Sequence, residues 1–362
     1  MKNTLGNVLA VTLFGESHGT AIGAVIDGLA AGIPINEEFI STQLSRRRPQ
    51  GSISTPRQEA DKFKILSGVF EGKTTGTPVC IVIENSDTHS TDYGEMKYKM
   101  RPSHADFTAQ IKYGGNQDYR GGGHFSGRIT AALVAAGAVL IPALNKKGIY
   151  IGTHIKNIAG VEDVSFNSLE DVKSVSGKTF AVLNEDIKSQ MTDKINEARE
   201  NGNSVGGILE TAVYGMPAGI GEPWFDTLEG ALSRALFSIP AVKGVEFGLG
   251  FGFANTTGAD ANDQMKMENG RVVTLTNNNG GILGGISNGM PIVFRTAIKP
   301  TPTIASEQKT VDISAMSDTT LSARGRHDPC IVHRAAVVAD SVTALVLADM
   351  LSIKYGTDWL GE

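Results

Sequence analysis

Three consecutive glycines, Gly121 to Gly123, stand just before a nearly uninterrupted apolar stretch from Ile129 to Leu140. A segment this apolar predicts a buried helix rather than a surface one, and enclosing it requires other elements in layers around it. The glycines open positive-φ conformations and let main-chain N–H groups come close to a ligand. A helix N-terminus beside them presents free donors and the positive end of the helix dipole, an arrangement suited to anions. Arg120 and Arg128 flank the junction, and guanidinium groups make bidentate phosphate contacts.

Other elements follow from pattern and punctuation. Leu9–Phe14, Ala21–Asp27 and Pro78–Glu84 read as strands, and Asn36 caps a predicted helix that Pro49 stops. That helix ends in Arg46-Arg47-Arg48, more cations than a dipole end needs. Asn184–Asn201 carries Ile187, Met191, Ile195 and Ala198 at helical spacing. Pro223 can open a helix reaching Leu236, and a last long helix spans Ile331 to Lys354. Residues 85–125 and 299–329 lack sustained periodicity but carry Arg and His, including His89; long irregular stretches of this kind are usually functional. Gly23–Pro34, Gly206–Pro217 and Gly280–Pro291 share one layout, read as a short strand closed by a Gly-apolar-Pro turn and as units of an internal pseudo-repeat. No linker divides residues 1–362, so the expectation is a single α+β domain with layered helices and sheets.

Composition excludes several classes. A net charge of −5 and 6% aromatic residues argue against RNA binding through Arg46–Arg48. Cys80 and Cys330 stand far apart, so neither a disulfide framework nor a thiolate zinc site is expected. HExxH, GxGxxG and Walker patterns are absent. No secretory signal is evident, and no apolar run reaches membrane-spanning length without Gly, Pro or polar interruption; a soluble cytoplasmic protein is expected.

Four groups could carry chemistry. His18 lies in Gly15-Glu16-Ser17-His18-Gly19. Ser17 directly precedes it, which does not supply triad geometry, and no Gly-x-Ser-x-Gly elbow exists. His104, in Arg101-Pro102-Ser103-His104-Ala105-Asp106, reads either as a surface-loop residue or as an acid–base group oriented by Asp106. Arg324-Gly325-Arg326-His327-Asp328-Pro329 sets two guanidiniums beside a carboxylate that could equally cap the following helix. Lys299-Pro300-Thr301-Pro302-Thr303 sets an ammonium beside hydroxyls, a combination suited to phosphate oxygens.

Together with Arg46-Arg47-Arg48-Pro49, Tyr119-Arg120-Gly121-Gly122-Gly123 and Gly284-Gly285-Ile286-Ser287-Asn288-Gly289, these motifs resemble the chorismate synthase family, in family order along nearly the whole chain. The resemblance implies a β-α-β sandwich with helices between antiparallel sheets, assembled as a homotetramer. It implies a lyase of the shikimate pathway for aromatic amino acid biosynthesis. The reaction would be anti-1,4-elimination of phosphate from 5-enolpyruvylshikimate 3-phosphate, requiring reduced FMN without net redox change. By resemblance, His18 protonates the departing phosphate, His104 serves the reduced flavin and Asp328 assists proton removal. Ser17, Arg47, Arg48, Arg128 and Arg326 line phosphate and carboxylate pockets. His124, Phe125, Ser126, Gly284, Lys299, Pro300, Thr301, Pro302, Thr303 and Arg326 contact flavin, and Arg47 also matches an NADPH-contacting arginine. NADPH is thus a candidate reductant, a separate flavin reductase a candidate partner, and no metal, nucleic acid or membrane is expected. The chain departs from the family's Arg-Ser-Ser-Ala-Arg with His124-Phe125-Ser126-Gly127-Arg128. The alternative reading is another FMN-dependent enzyme acting on a small phosphorylated substrate.

Overall fold

Period-two alternation in the strands buries one face of each of two five-stranded antiparallel sheets. The computed structural model describes residues 3–49, 51–54, 60–86, 97–322 and 328–361. In the first sheet, β1 (Ala10–Gly15), β2 (Ala21–Asp27), β3 (Phe63–Ser67) and β4 (Val79–Glu84) lie in the order β1-β2-β4-β3, with Thr4–Leu5 on the β1 edge. In the second, β5 (Tyr150–Ile158), β6 (Gly207–Tyr214), β7 (Val242–Phe247) and β8 (Ile292–Ile298) lie in the order β5-β6-β8-β7, with Val161–Glu162 outermost. Along β8, Ile292, Phe294, Thr296 and Ile298 point inward.

Three helices fill the space between the sheets: α1 (Glu37–Arg47), α3 (Thr130–Lys146) and α5 (Val332–Tyr355), whereas α2 (Asp106–Tyr113) lies at the surface and α4 (Leu228–Leu236) packs on α5. The apolar stretch after the triglycine is thus α3, buried along nearly its whole length. By length and composition α3 and α5 would pass as membrane spans, but Gly137 and Pro142 interrupt the first, Arg334, Asp340 and Asp349 the second, and both are buried inside the protein as core helices. They approach so closely that a Cβ on Gly137 would sit 2.4 Å from Ser341 Cβ. Gly137→Val is expected to force the helices apart and cost about 1–3 kcal/mol, measured as a lower urea midpoint.

Buried polar contacts tie the layers together. Arg46 pairs with Asp340 at 3.0 Å, joining α1 to α5. Asp349 accepts the backbone N–H groups of Asn7, Val8 and Leu9 at 2.8–2.9 Å, pinning the start of the first sheet to α5. His333 stacks on Phe180 and meets Ser54 Oγ at 3.0 Å. Burial, with Arg334 adding to it, pushes the His333 imidazole down to about 4. Between pH about 4 and 6.5 the unfolded chain therefore binds a proton that the native chain does not, and stability falls as pH drops through that window. His333→Gln is expected to remove about 2 kcal/mol of the stability difference between pH 7 and pH 4.5 in urea unfolding.

The pseudo-repeat is real at the level of topology. The succession β1-β2-α1-β3-β4-α3 is matched by β5-β6-α4-β7-β8-α5, with the same spatial order of strands in each sheet. The first two matched segments contain the equivalent strands β2 and β6. The third departs: Gly280–Pro291 holds a small hairpin pairing Ile282 with Ser287, not one strand. Gly32-Ile33-Pro34 is itself part of a strand rather than a turn. Three other expectations are corrected. Residues 106–113, in a stretch read as irregular, form α2, whose Phe107 and Ile111 are exposed. The second irregular stretch contains a hairpin in register Gln308↔Leu321, whose mostly polar strands carry little apolar signal. The helix assigned to Pro223 begins at Leu228, because Thr227 Oγ1 accepts the Gly230 N–H and caps it there.

Candidate active site

One end of the sandwich collects the loops that bear the sequence motifs. The β1–β2 connection brings Ser17 and His18, the end of α1 brings Arg47, and the start of α3 brings Arg128. The end of β8 brings Lys299 to Thr303, and the start of α5 brings Asp328 and Arg334. Between them lies a cavity of about 1000 Å³, the upper range for small-molecule sites.

The triglycine turn sits under two histidines. Gly121, Gly122 and Gly123 have φ of 56°, 84° and 53°, conformations that a side chain resists. A Cβ on Gly121 would lie 2.2 Å from His18 Cε1, and one on Gly122 would lie 3.2 Å from His104 Cε1. The Ser17 N–H donates to the Gly123 carbonyl at 3.1 Å, fastening the His18 loop to the turn. Ser17 Oγ is fully buried and has no hydrogen-bond partner among the described residues.

His104 is held from one side. Its Nδ1 lies 2.7 Å from Asp106 Oδ1, and Arg101 grips both oxygens of the same carboxylate at 2.7 Å. Burial would raise the Asp106 pKa, but hydrogen bonds from His104 and Arg101 outweigh it and hold the carboxyl well below the usual range. An ionised carboxylate only accepts, so His104 Nδ1 carries a proton and Nε2 is the nitrogen turned toward Gly122. The same logic fixes His124, whose Nδ1 donates to the Gly15 carbonyl at 2.7 Å. Phe125 packs edge-on against Tyr113. This chain's variant pair therefore braces the β1–β2 loop and α2 beside the cavity.

The cavity wall contains most of the expected residues. Arg47, His104, His124, Phe125, Ser126, Arg128, Lys299, Thr301, Pro302, Thr303 and Asp328 line it. Ser17 and His18 abut the triglycine instead, and Arg48, Pro300 and Gly284 do not line the wall. Arg326 lies outside the described residues, as do Arg324, His327 and His89. Arg46 and Arg120, read as anion contacts, are used otherwise: Arg46 serves the buried pair with Asp340, and Arg120 pairs with Asp118 at the surface.

Several participants escaped sequence reasoning. Arg234, Lys243 and Arg334 add cations to the wall, so with Arg47, Arg128 and Lys299 six face the one described lining carboxylate, Asp328. Arg334 donates to Asp328 and, at 2.8 Å, to the Arg47 carbonyl. Phe237 to Lys243 line the far wall, where Ala241 adopts a φ of 75° and its carbonyl accepts the Lys299 N–H. Asp61 bridges Arg47 and Arg128 from behind the wall. Asn85 accepts from Arg128 Nε at 3.0 Å and donates to the Glu16 and Gly19 carbonyls at 2.9 Å, coupling that arginine to the His18 loop. Burial, then the neighbouring Lys243, lowers the Lys299 pKa, and its ammonium donates to the Ser103 carbonyl at 2.6 Å. A wall so rich in cations, with hydroxyls and glycines beside it, suits a ligand bearing several anionic groups.

A family model described as chorismate synthase matches residues 9–352. The chain belongs to the chorismate synthase family. It is 47% identical over 346 residues to the chorismate synthase of Thermococcus kodakarensis, covering 96% of each chain. It is 48% identical over 346 residues to that of Pyrococcus abyssi, again covering 96% of each. The chorismate synthase of Dehalococcoides mccartyi is 45% identical over 351 residues, covering 97% of this chain and 96% of that one. A solved structure titled "Crystal Structure of Chorismate Synthase" superposes with a TM-score of 0.77 at 33% identity, covering 98% of this chain and 94% of the other. The α+β architecture of helices between antiparallel sheets is therefore the family's fold.

Proposed function

We propose that the cavity is the site at which this chorismate synthase family member, a carbon–oxygen lyase, eliminates phosphate from 5-enolpyruvylshikimate 3-phosphate to give chorismate. The observation that carries this is the meeting of six cations and His104 on one cavity wall, next to the triglycine turn that packs against His18 and leads into the lining residues His124 to Arg128. The C–O bond to phosphate breaks, a C6 proton leaves, and a new double bond forms, so atoms and charge balance without an external oxidant.

His18 delivers a proton to the departing phosphate oxygen, and Asp328 assists removal of the C6 proton. Arg47, Arg48, Arg128 and Arg326, with Ser17, take the phosphate and carboxylates, where charge-assisted hydrogen bonds are strongest. The wall also fits a flavin: it is large enough and offers Lys299, Thr301 and Thr303 to a phosphate tail. His104, His124, Phe125, Ser126, Gly284, Pro300, Pro302, Arg326 and Arg47 complete the flavin-binding set in this reading. Held by these residues, reduced FMN would supply electron density for a reaction with no net redox change. NADPH would serve only to reduce it, directly at Arg47 or through a separate reductase, and the working unit is a homotetramer in the cytoplasm. Anaerobic incubation with substrate and photoreduced FMN should yield chorismate and phosphate in equal amounts while the flavin stays reduced. Flavin oxidised in step with product would instead favour substrate redox at the same phosphate site.

A further inference from the structure

We propose that Asp61 is a positioning residue for anion recognition, holding Arg47 and Arg128 at the spacing that a substrate anion needs. The inference rests on the reading that those two arginines bind substrate anions. Each carboxylate oxygen of Asp61 takes a different arginine: Oδ2 accepts from Arg47 at 2.9 Å, and Oδ1 accepts from Arg128. The Asp61 side chain is 0% exposed, and those of Arg47 and Arg128 are 6% and 3% exposed. Both arginines line the cavity and Asp61 does not. It therefore fixes one edge of each guanidinium from behind the wall, while Arg128 is steadied further by Nε donating to Asn85 at 3.0 Å and Nη2 to the Glu84 carbonyl at 3.3 Å. Arg47 Nε is buried with no hydrogen-bond partner among the described residues, a donor that an incoming anion would satisfy.

Charge separates this role from simple neutralisation. Two guanidiniums and one carboxylate leave a net single positive charge, and removing the carboxylate charge leaves two. If Asp61 only compensated charge, Asp61→Asn would tighten anion binding. If it sets geometry, the same change weakens binding despite the added positive charge, because Arg47 and Arg128 lose the anchor that they share. Asp61 touches neither reacting atoms nor the histidines, so its effect falls on KM rather than kcat.

The test measures inorganic phosphate, a reaction product, by calorimetry on the full-length wild type and on Asp61→Asn, Asp61→Glu and Arg128→Ala, with KM and kcat for the substrate alongside. Asp61→Asn is expected to weaken phosphate binding and raise KM by about tenfold each, with kcat little changed. Asp61→Glu keeps the charge but moves the oxygens by one methylene, and is expected to show the same KM-against-kcat split; it decides the question if Asp61→Asn fails to fold by circular dichroism. Phosphate affinity unchanged or tighter in the folded Asp61 variants, with Arg128→Ala still weakened, overturns the role of Asp61 alone. Phosphate affinity unchanged in Arg128→Ala overturns the anion pocket itself.

Discussion

Replacing His18 with alanine is expected to lower kcat by about 10²–10⁴-fold while the protein still folds, the range for loss of a general acid–base group. The imidazole is almost completely buried against Gly121, and the loop that carries it is fastened by the Ser17 N–H bond to Gly123 and by Asn85. Loss of the ring leaves those backbone contacts intact, so the fold survives while the proposed proton donor is gone. His104→Ala is expected to fall in the same range, because its Nε2 is turned toward Gly122 by the Arg101–Asp106 clamp. Rates of phosphate release near wild type in either variant would refute the role given to that histidine.

Gly121→Ala is expected to cost about 10²-fold in activity, the scale of a roughly 1 Å misplacement of a catalytic group. At a φ of 56° an added Cβ would sit 2.2 Å from His18 Cε1 and 2.4 Å from Nδ1, so the ring must move. The left-handed conformation adds about 1–2 kcal/mol of backbone strain. Because both changes act on one ring, Gly121→Ala combined with His18→Ala should be little worse than His18→Ala alone. Multiplicative losses in the double variant would show that the turn acts through something other than His18.

The sequence read well where structure is local. Asn36 caps α1 as expected, α3 and α5 follow from their apolar runs, and the helix Glu185–Glu200 buries Met191, Ile195 and Ala198. Local signals failed where polar residues dominate. The strands Gln308–Asp312 and Ser317–Leu321 are mostly polar, with Val311 and Leu321 their only apolar residues, and α2 leaves Phe107 exposed. At the site, motifs announced Arg47, His104, Arg128 and Lys299 because each lies in a compact, chemically unusual string. Asp61 carried no such mark: its partners lie 14 and 67 residues away, and only the packing of the α1 and α3 ends brings them together. Arg46 shows the opposite error, since a run of three arginines looks uniform in sequence, yet the helix turns Arg46 into the core toward Asp340. The matched glycine segments revealed β2 and β6 as equivalents, but their equivalence rests on two sheets with one strand order, which no short motif encodes.

The central claim is that the triglycine turn and the arginines beside it form one phosphate and flavin site. A crystal structure of the protein with FMN and the phosphorylated substrate tests it most directly. The substrate phosphate is expected within hydrogen-bond reach of His18 and Arg128, with the flavin ring against His124 to Ser126. A phosphate held instead by Arg234 and Lys243 on the far wall, with His18 out of reach, would contradict it.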